Sequence, residues 1–229
     1  IMQKIYDSEM GTVGKYKYSD LGMILMKEII EKVTGSRFQD YVSATFYRPM
    51  GLEKLTFLPL ENHHTDDIVP TAFGPDMRTG LVQGYVHDPT AAMLGGVSGH
   101  AGLFGNAESL GSLIQMVLNG GTFNGVRYLK ESTINEFTKQ QATDSRRGLG
   151  WDKPEFNRRR ANPASDYASR LCFGHTGFTG TMVWADPQHD LVYVFLSNRV
   201  FPDQNNKKLI STSVRTNIMD AIYQSFLFP

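Results

Sequence analysis

The chain has 229 residues, of which 41% are hydrophobic and 20% are charged, a composition typical of a soluble globular domain with a sizeable core. Its 23 basic and 23 acidic residues give a formal net charge of zero, which argues against nucleic acid or an anionic membrane surface as a partner. The single cysteine, Cys172, excludes an internal disulfide and a cysteine-based metal cage.

The first strong helix signal follows the tripeptide Tyr18-Ser19-Asp20. Apolar residues at helical spacing over 21–33 predict an amphipathic helix, with Ser19 or Asp20 as its N-cap and Gly35 at its end. The start of a helix presents backbone amides and the positive end of the helix dipole. Tyr18 is therefore placed where a negative charge would be favoured.

The next part of the chain changes from helical to irregular. Residues 37–47 predict a second helix, whereas residues 53–83 carry proline and paired polar residues that are typical of loops. His63-His64 with Asp66-Asp67 is a conceivable metal site, but adjacent histidines do not share one face and no distal ligand spacing follows. We therefore predict a surface loop here, and neither a metal site nor a cofactor.

Residues 94–106 form a glycine-rich run that contains Ser98 and His100. The run has no phosphate-loop and no dinucleotide-binding pattern. It misses the G-x-S-x-G pattern of a nucleophilic serine by one residue, because His100 stands where the last glycine is required. An esterase that uses Ser98 with His100 is one alternative, although a spacing of two residues is poor geometry for a nucleophile and its base.

Three further helices are predicted in the second half of the chain. Asn106 caps the first, which ends at Gly120-Gly121. Residues 132–140 predict the second, and residues 207–226 predict a long C-terminal helix with one apolar face.

Between these helices the sequence is rich in arginine. Residues 149–151 are interpreted as the start of an edge strand, and residues 153–170 as an exposed loop. The basic cluster formed by Arg146-Arg147 and residues 158–160 is interpreted as solvated.

The most unusual segment is Gly174 to Gly180, which reads GHTGFTG. It precedes a predicted hairpin with strands at 181–185 and 191–196 around a turn at Asp186-Pro187. Glycines before a strand permit close backbone approach or positive φ angles. The order of elements is not a βαβ alternation, so it predicts an α+β domain whose antiparallel sheet is covered by helices.

The polar groups at glycine-rich or helix-initiating positions suit acyl transfer. A tyrosine can act as a base beside cations, a histidine can orient substrate, and an amide after a glycine can stabilise an oxyanion. The sequence shows neither a carboxylate pair at glycosidase spacing nor a zinc-binding His-x-x-x-His helix. Acyl transfer here would need a serine nucleophile. The collected residues are Tyr18, Ser19, Asp20, Ser98, His100, His175, Thr176 and Thr179.

These segments, in this order, resemble the serine β-lactamase and penicillin-binding-protein superfamily. They are most similar to the branch of class C β-lactamases, D-alanyl-D-alanine carboxypeptidases and esterases. The family has three motifs, S-x-x-K, Y-x-N and K-T-G or H-T-G. Tyr18-Ser19-Asp20 matches the second with Asp in place of Asn, and His175-Thr176-Gly177 matches the third. HAGLFGNAESL resembles the family's pocket-lining segment and following helix. The resemblance implies a β-lactamase/transpeptidase-like fold, an antiparallel sheet flanked by helices with a helical lobe.

The resemblance also implies a role for each matching residue. Tyr18 would shuttle the proton of the nucleophile, the Phe178 N–H would be one oxyanion donor, and His175 would supply a charge that titrates near pH ~6.5. Asp20 keeps the acceptor of an asparagine but lacks its amide donor. The residues implied to bind substrate are Asp20, His100, Thr176, Gly177 and Thr179.

No serine in the sequence has a lysine three residues further on. In the family this motif lies several tens of residues before Y-x-N, whereas seventeen residues precede Tyr18 here. We therefore expect residues 1–229 to be one partial domain, the C-terminal piece of a longer serine hydrolase, inactive without its nucleophile. The alternative is a non-catalytic binding or interaction module of the same fold, conceivably fused to a glycoside hydrolase.

The resemblance implies a substrate that is a peptidoglycan-like D-amino peptide, an ester or a β-lactam. It also implies an extracytoplasmic location, in the periplasm or cell envelope of a bacterium. No nucleic acid is expected as a partner, and no apolar run approaches the length of a membrane span. Because a missing N-terminal portion would expose apolar surface, self-association is expected as well.

Overall fold

The computed structural model describes residues 1–76 and 78–228, and it divides into two compact units. The first unit comprises residues 1–105 and the second begins at Asn106. Both contain helices and antiparallel strands, so the predicted α+β class is confirmed. Among the described residues, no helix is both long enough and apolar enough to cross a membrane.

The first unit begins with helices. α2 begins and ends where the sequence predicts, and Gly35 closes it with a left-handed φ of 67°. Asp20 occupies the N-cap position without a side-chain capping bond, and the Ser19 hydroxyl instead accepts the Leu21 N–H at 3.2 Å. The helices are α1 (Met2–Tyr6), α2 (Leu21–Thr34), α3 (Phe38–Val42), which continues as one π-helical turn (Ser43–Tyr47), and α4 (Pro89–Met93).

Glu31 ties the end of α2 to the start of α3. Its carboxylate accepts the Phe38 N–H at 2.8 Å and the Lys27 ammonium at 2.9 Å. Burial would raise the pKa of Glu31, but the bonds from Lys27 and Phe38 outweigh it and lower that pKa. The charged form of Glu31 is thus the one that the fold favours.

A two-stranded hairpin, β1 (Pro70–Phe73) and β2 (Leu81–Gln83), lies in the region predicted to be irregular. That prediction was wrong because both strands are short and carry no clear alternation of apolar residues. Two 3-10 turns precede the hairpin, at Pro59–Glu61 and Thr65–Asp67. The buried apolar residues of this region are Leu52, Leu55, Phe57, Ala72, Val86, Ala91 and Val97.

The second unit is built on a three-stranded antiparallel sheet. Its order is β5 (Phe173–Thr176), β6 (Met182–Asp186) and β7 (Leu191–Phe195). The predicted hairpin is confirmed as β6 and β7, whereas β5 lies in the segment that the sequence placed just before the first strand. Position 174 inside β5 has to be a glycine, because a side chain there would overlap the Val183 carbonyl and the buried ring of Trp184.

Helices cover both faces of this sheet. α5 (Ala107–Leu118), which Asn106 caps by accepting the Ser109 N–H at 2.9 Å, packs on β6 and β7. α8 (Val214–Leu227) lies against the opposite face. Because side chains alternate between the two faces along a strand, Trp184 of β6 and Tyr193 of β7 both lie on that face. The core on that face consists of Ala164, Ala168, Cys172, Met182, Trp184, Tyr193, Met219 and Tyr223.

Three smaller elements of the second unit differ from the prediction. The C-terminal helix is interrupted, because Ser213 adopts a left-handed φ of 52° between α7 (Lys208–Ser211) and α8. The edge strand expected at 149–151 is reduced to a single bridge between Asp152 and Gly174. A short hairpin, β3 (Thr122–Phe123) with β4 (Val126–Arg127), precedes α6 (Glu131–Thr138), the helix predicted at 132–140.

Candidate active site

Tyr18 lies directly before α2 in the first unit, and its side chain is 56% exposed. The Asp20 carbonyl accepts the N–H groups of Met23 and Ile24, each at 3.0 Å, and so begins the helix. Tyr18 thus precedes the N-terminal end of a 14-residue helix, a place where negative charge is stabilised. Asp20 is exposed beside it. The catalytic role of Tyr18 and the binding role of Asp20 stay predictions.

Ser98, His100 and Asp88 form a hydrogen-bonded chain in the same unit. His100 Nδ1 lies 2.9 Å from Ser98 Oγ, and His100 Nε2 lies 2.9 Å from Asp88 Oδ1. Asp88 Oδ1 also accepts the Ala91 N–H at 2.7 Å and thereby caps α4. The spacing of two residues therefore does allow contact between Ser98 and His100, contrary to our expectation.

This chain has the connectivity of a Ser-His-Asp triad, but its serine is buried. Ser98 is 2% exposed, and the His100 side chain is 5% exposed with both ring nitrogens engaged. A nucleophile must reach its substrate, so this geometry favours a role in holding the loop. Direct substrate binding by His100 stays a prediction.

The loop that carries Ser98 and His100 packs closely on α2. A side chain at Gly99 would overlap the backbone oxygen of Met23, and one at Gly102 would overlap the Gly96 carbonyl. Gly99 therefore has to be a glycine for the loop to approach the helix. The loop and the helix that follows Tyr18 are packed as one body within the first unit.

His175 lies near the end of β5 in the second unit, with both ring nitrogens hydrogen-bonded. Nδ1 lies 2.8 Å from the Thr176 carbonyl oxygen, and Nε2 lies 2.8 Å from Arg147 Nη1. A guanidinium only donates and a carbonyl only accepts, so this geometry assigns the ring proton to Nδ1 and leaves Nε2 as the acceptor. The sequence assigned the positive charge to His175, whereas in this arrangement Arg147 carries it.

Arg147 and its neighbour Arg146 are both held by a buried carboxylate. Arg147 Nη2 lies 3.1 Å and Arg146 Nε lies 2.7 Å from the carboxylate of Asp152, which is 2% exposed. The backbone of Asp152 pairs with Gly174 through bonds of 2.7 and 3.0 Å. The interpretation of Arg146-Arg147 as a solvated cluster is therefore wrong.

Glycines shape the turn that connects β5 to β6. The Gly177 N–H donates to the Thr181 carbonyl at 2.8 Å, and the Gly180 N–H donates to the Gly177 carbonyl at 3.1 Å. Gly180 has a φ of 98°, which a side chain rarely adopts. The turn presents Phe178, which is 65% exposed, and Thr179, whose carbonyl accepts the Arg199 N–H at 3.0 Å.

Two further arginines border this turn. The Arg199 guanidinium carbon lies 4.8 Å from the centre of the Phe178 ring, and Arg215 Nη1 donates to the Thr181 carbonyl at 2.8 Å. Burial, together with the nearby Arg199, lowers the pKa of Arg215. With Arg147, these groups make the end of β5 and its turn electropositive. The predicted roles of Thr176, Gly177, Phe178 and Thr179 stay predictions.

Cys172 is fully buried just before β5, and burial raises the pKa of its thiol. It is therefore a core residue rather than a nucleophile. In residues 1–76 and 78–228, no group of three or more His, Cys, Asp or Glu side chains is arranged to hold a metal ion.

The fold is that of the penicillin-binding-protein and β-lactamase class of hydrolases. A penicillin-binding protein homologue from Caulobacter crescentus superposes with a TM-score of 0.63 at 22% identity, covering 90% of this chain and 57% of that one. The D-amino acid amidase from Ochrobactrum anthropi SV3 also has a TM-score of 0.63, at 14% identity, covering 93% of this chain and 59% of that one.

Sequence comparison identifies the family. The model described as Beta-lactamase matches residues 11–212. A protein of Salmonella newport (strain SL254), named provisionally as a D-alanyl-D-alanine carboxypeptidase, is 35% identical over 207 residues, which cover 85% of this chain and 48% of that protein. The chain belongs to the β-lactamase family, and it spans about half the length of the curated relatives it matches.

Proposed function

We propose that this chain is part of a serine carboxypeptidase of the β-lactamase family that releases the last residue of a D-amino peptide. The observation that carries the proposal is the ordered set of motifs, with Tyr18 before α2 and His175-Thr176-Gly177 at the end of β5. The name of the 35% identical relatives supports a peptide substrate. Esters and β-lactams are further acyl donors that the same chemistry would accept.

For this reaction the chain supplies a group that transfers the proton and a group that stabilises the oxyanion, but not the nucleophile. A serine oxygen bonds to the substrate carbonyl carbon while Tyr18 takes the serine proton, and Tyr18 returns that proton to the leaving amine as the C–N bond breaks. The Phe178 N–H stabilises the oxyanion. Water then cleaves the acyl-serine ester, releasing the acid and restoring the serine hydroxyl.

The nucleophile of this proposal lies in a part of the protein outside the printed sequence, because no printed serine has the required lysine. The printed chain is then inactive by itself. We place the protein in the cell envelope of a bacterium, where a peptidoglycan-like peptide is available. The same missing motif favours a second candidate, a non-catalytic binding module that retains the fold.

A fluorescent penicillin tests these alternatives. The printed chain and a longer form that includes the upstream coding sequence are incubated with the reagent, and intact and peptide masses are measured. We expect an acyl adduct on the longer form only, at a serine followed three residues later by lysine. An adduct on Ser98 would support the esterase alternative. A longer form with neither adduct nor release of D-alanine from an acyl-D-alanyl-D-alanine peptide would support the binding module.

A further inference from the structure

The second unit contains a cavity that the proposed reaction does not use. It has a volume of about 340 Å³, which is within the range of small-molecule sites, and it lies where the end of α5, α6 and the start of β5 meet. We propose that this cavity binds a small organic ammonium, with its apolar part in the cavity and its charge at Glu131. The inference goes beyond the proposed function and does not depend on it. The residues that line the cavity include Val117, Glu131, Ile134, Asn135, Phe173 and Pro187.

The cavity lies at the end of β5 that is remote from the turn carrying Phe178. Phe173 is the first residue of β5, and Pro187 directly follows the last residue of β6. Because β5 and β6 are antiparallel, the start of one strand and the end of the other lie at the same end of the sheet. The motif His175-Thr176-Gly177 leads to the opposite end, so the cavity belongs to a different part of the second unit.

The base of the cavity is apolar. Val117, Ile134 and Phe173 are 6%, 8% and 2% exposed. They come from α5, α6 and β5, so the base is formed by three elements of the packed unit. An alkyl group that contacts these side chains is withdrawn from water, which favours its binding.

The mouth of the cavity is polar and carries a carboxylate. Glu131 and Asn135 are both exposed, and they lie one turn apart on the same side of α6. Among the described residues, neither side chain has a hydrogen-bond or ion-pair partner. An ammonium only donates hydrogen bonds, whereas a carboxylate and an amide oxygen accept them. The mouth therefore offers acceptors to a ligand whose apolar part lies deeper in the cavity.

Two glycines after α5 make room for Glu131. Gly120 and Gly121 have left-handed φ angles of 61° and 92°. A side chain at Gly120 would come within 3.2 Å of Glu131 Cγ, so the glycine allows Glu131 to lie across the end of α5. The last carbonyls of a helix carry the negative end of its dipole. The carboxylate and the end of α5 therefore favour a cation at the same place.

Two cations of the protein lie near the cavity, and backbone carbonyls hold both of them. Arg127 Nη1 donates to the Gly120 carbonyl at 3.1 Å, and Lys153 Nζ donates to the Cys172 carbonyl at 3.1 Å. Within the described part of the chain, neither forms an ion pair with Glu131. The carboxylate therefore remains available to a cation of the ligand, and a neutral ligand of the same shape gains only the apolar contacts.

Binding of n-butylammonium to the full-length protein tests the inference. We would follow the methyl signals of Val117 and Ile134 by NMR during the titration, because a ligand this small binds weakly. Both signals should shift and reach saturation. Butan-1-ol has the same apolar part without the charge, and we expect it to bind about fivefold more weakly.

Glu131→Gln should lower the affinity for n-butylammonium to that for butan-1-ol and leave the affinity for the alcohol unchanged. Glu136→Gln is the matched control, because Glu136 lies on the same helix but pairs with Lys139 at 2.6 Å and is not part of the cavity wall. It should keep the preference for the ammonium. Asn135→Trp fills the mouth and should block both ligands.

Equal affinity of the wild-type protein for the ammonium and the alcohol would overturn the inference, as would equal losses in Glu131→Gln and Glu136→Gln. Binding that leaves the Val117 and Ile134 signals in place, or that persists in Asn135→Trp, would put the ligand elsewhere and would also overturn it. These measurements involve no acyl transfer. A longer form that reacts with penicillin but binds no ammonium in this cavity contradicts this inference alone.

Discussion

Both ring nitrogens of His100 form hydrogen bonds inside the protein, one with Ser98 and one with Asp88. Asp88 in turn caps α4, so one short chain of bonds joins the glycine-rich loop to a helix start. A polar group that is buried and fully paired specifies a conformation, and it becomes costly when one partner is lost. This pairing explains why a histidine stands within a run of glycines.

Replacing His100 by alanine should destabilise the protein by about 2 kcal/mol, because Ser98 Oγ loses its partner in a buried place and Asp88 loses one of its two. Urea unfolding, followed by circular dichroism, would measure the change. Ser98→Ala, which preserves the bond between His100 and Asp88, should cost about 1 kcal/mol. Equal stability of the His100→Ala and wild-type proteins would show that the chain of bonds does not support the fold.

At the scale of single elements, Glu31 couples two helices through one carboxylate. Its pKa is lowered in the folded protein, so the charged form contributes stability above its unfolded pKa of about 4.5, and that contribution is lost as the pH falls through the lower folded pKa. Glu31→Gln should therefore lose about 1 kcal/mol at pH 7, and the difference from wild type should shrink towards pH ~3.

Unfolding in urea at several pH values would measure this effect. Glu28→Gln is the control, since Glu28 also contacts Lys27, at 3.2 Å, but is not the acceptor for the Phe38 N–H. Its effect should be smaller because it keeps the bond that joins α2 to α3. A Glu31→Gln deficit of the same size at pH 3 and pH 7 would contradict the assignment of this stability to a charged carboxylate.

Elements whose sequence signals lie within or next to the element itself were predicted correctly. α2 and α5 have an apolar period, a polar residue before them and a glycine after them, and all of these act within one or two helical turns. β5 was missed because a glycine inside it weakens the strand signal, and its glycine depends on Trp184 in the next strand. The interruption at Ser213 was missed because serine gives no local warning of a left-handed φ.

The candidate site shows the same limit. Tyr18 and His175 could be named from the sequence because each belongs to a short motif, whereas Arg147 is joined to His175 by a contact between distant positions. The pairing of Asp152 with Gly174 holds the segment that carries this arginine next to β5. A pair of basic residues is typical of a solvated loop, and nothing in the adjacent sequence indicates that both arginines form ion pairs with a buried carboxylate.

At the scale of the second unit, Asp186 is the main polar anchor of the core. Its buried carboxylate accepts the Tyr223 hydroxyl at 2.6 Å, the Ser169 N–H at 2.8 Å and the Gln188 N–H at 3.1 Å. It thus joins α8 and the segment before β5 to the turn after β6. Burial and the bond to Asp186 raise the pKa of Tyr223, so its hydroxyl is a donor at neutral pH.

Asp186→Asn should destabilise the protein by about 3 kcal/mol, because an amide nitrogen would face donors that need an acceptor. Tyr223→Phe, which removes one donor and keeps the ring, should cost about 1.5 kcal/mol. Thermal and urea unfolding of the two variants would rank them. A smaller loss for Asp186→Asn than for Tyr223→Phe would show that the carboxylate is not the shared acceptor of this core.

At the scale of the whole molecule, α2 carries a row of exposed apolar side chains. Met23, Met26, Ile29 and Val33 share one side of the helix and are 39%, 48%, 52% and 80% exposed. A contiguous apolar face of this kind is typical of an interaction surface. We expect the printed chain to self-associate through it at high concentration.

Replacing Met26 and Ile29 by lysine should weaken that association, because both side chains lie on the exposed face. The packing of α2 in the core should be preserved, since its buried residue, Ile24, is unchanged. Light scattering over a range of concentrations would give the apparent mass of the wild-type and doubly substituted chains. Val69→Lys is a suitable control, since Val69 is 67% exposed but lies outside the helix. A wild-type chain that remains monomeric at the highest concentration would contradict the expectation. An equal effect of Val69→Lys and the double substitution would show that added charge, and not the face of α2, controls association.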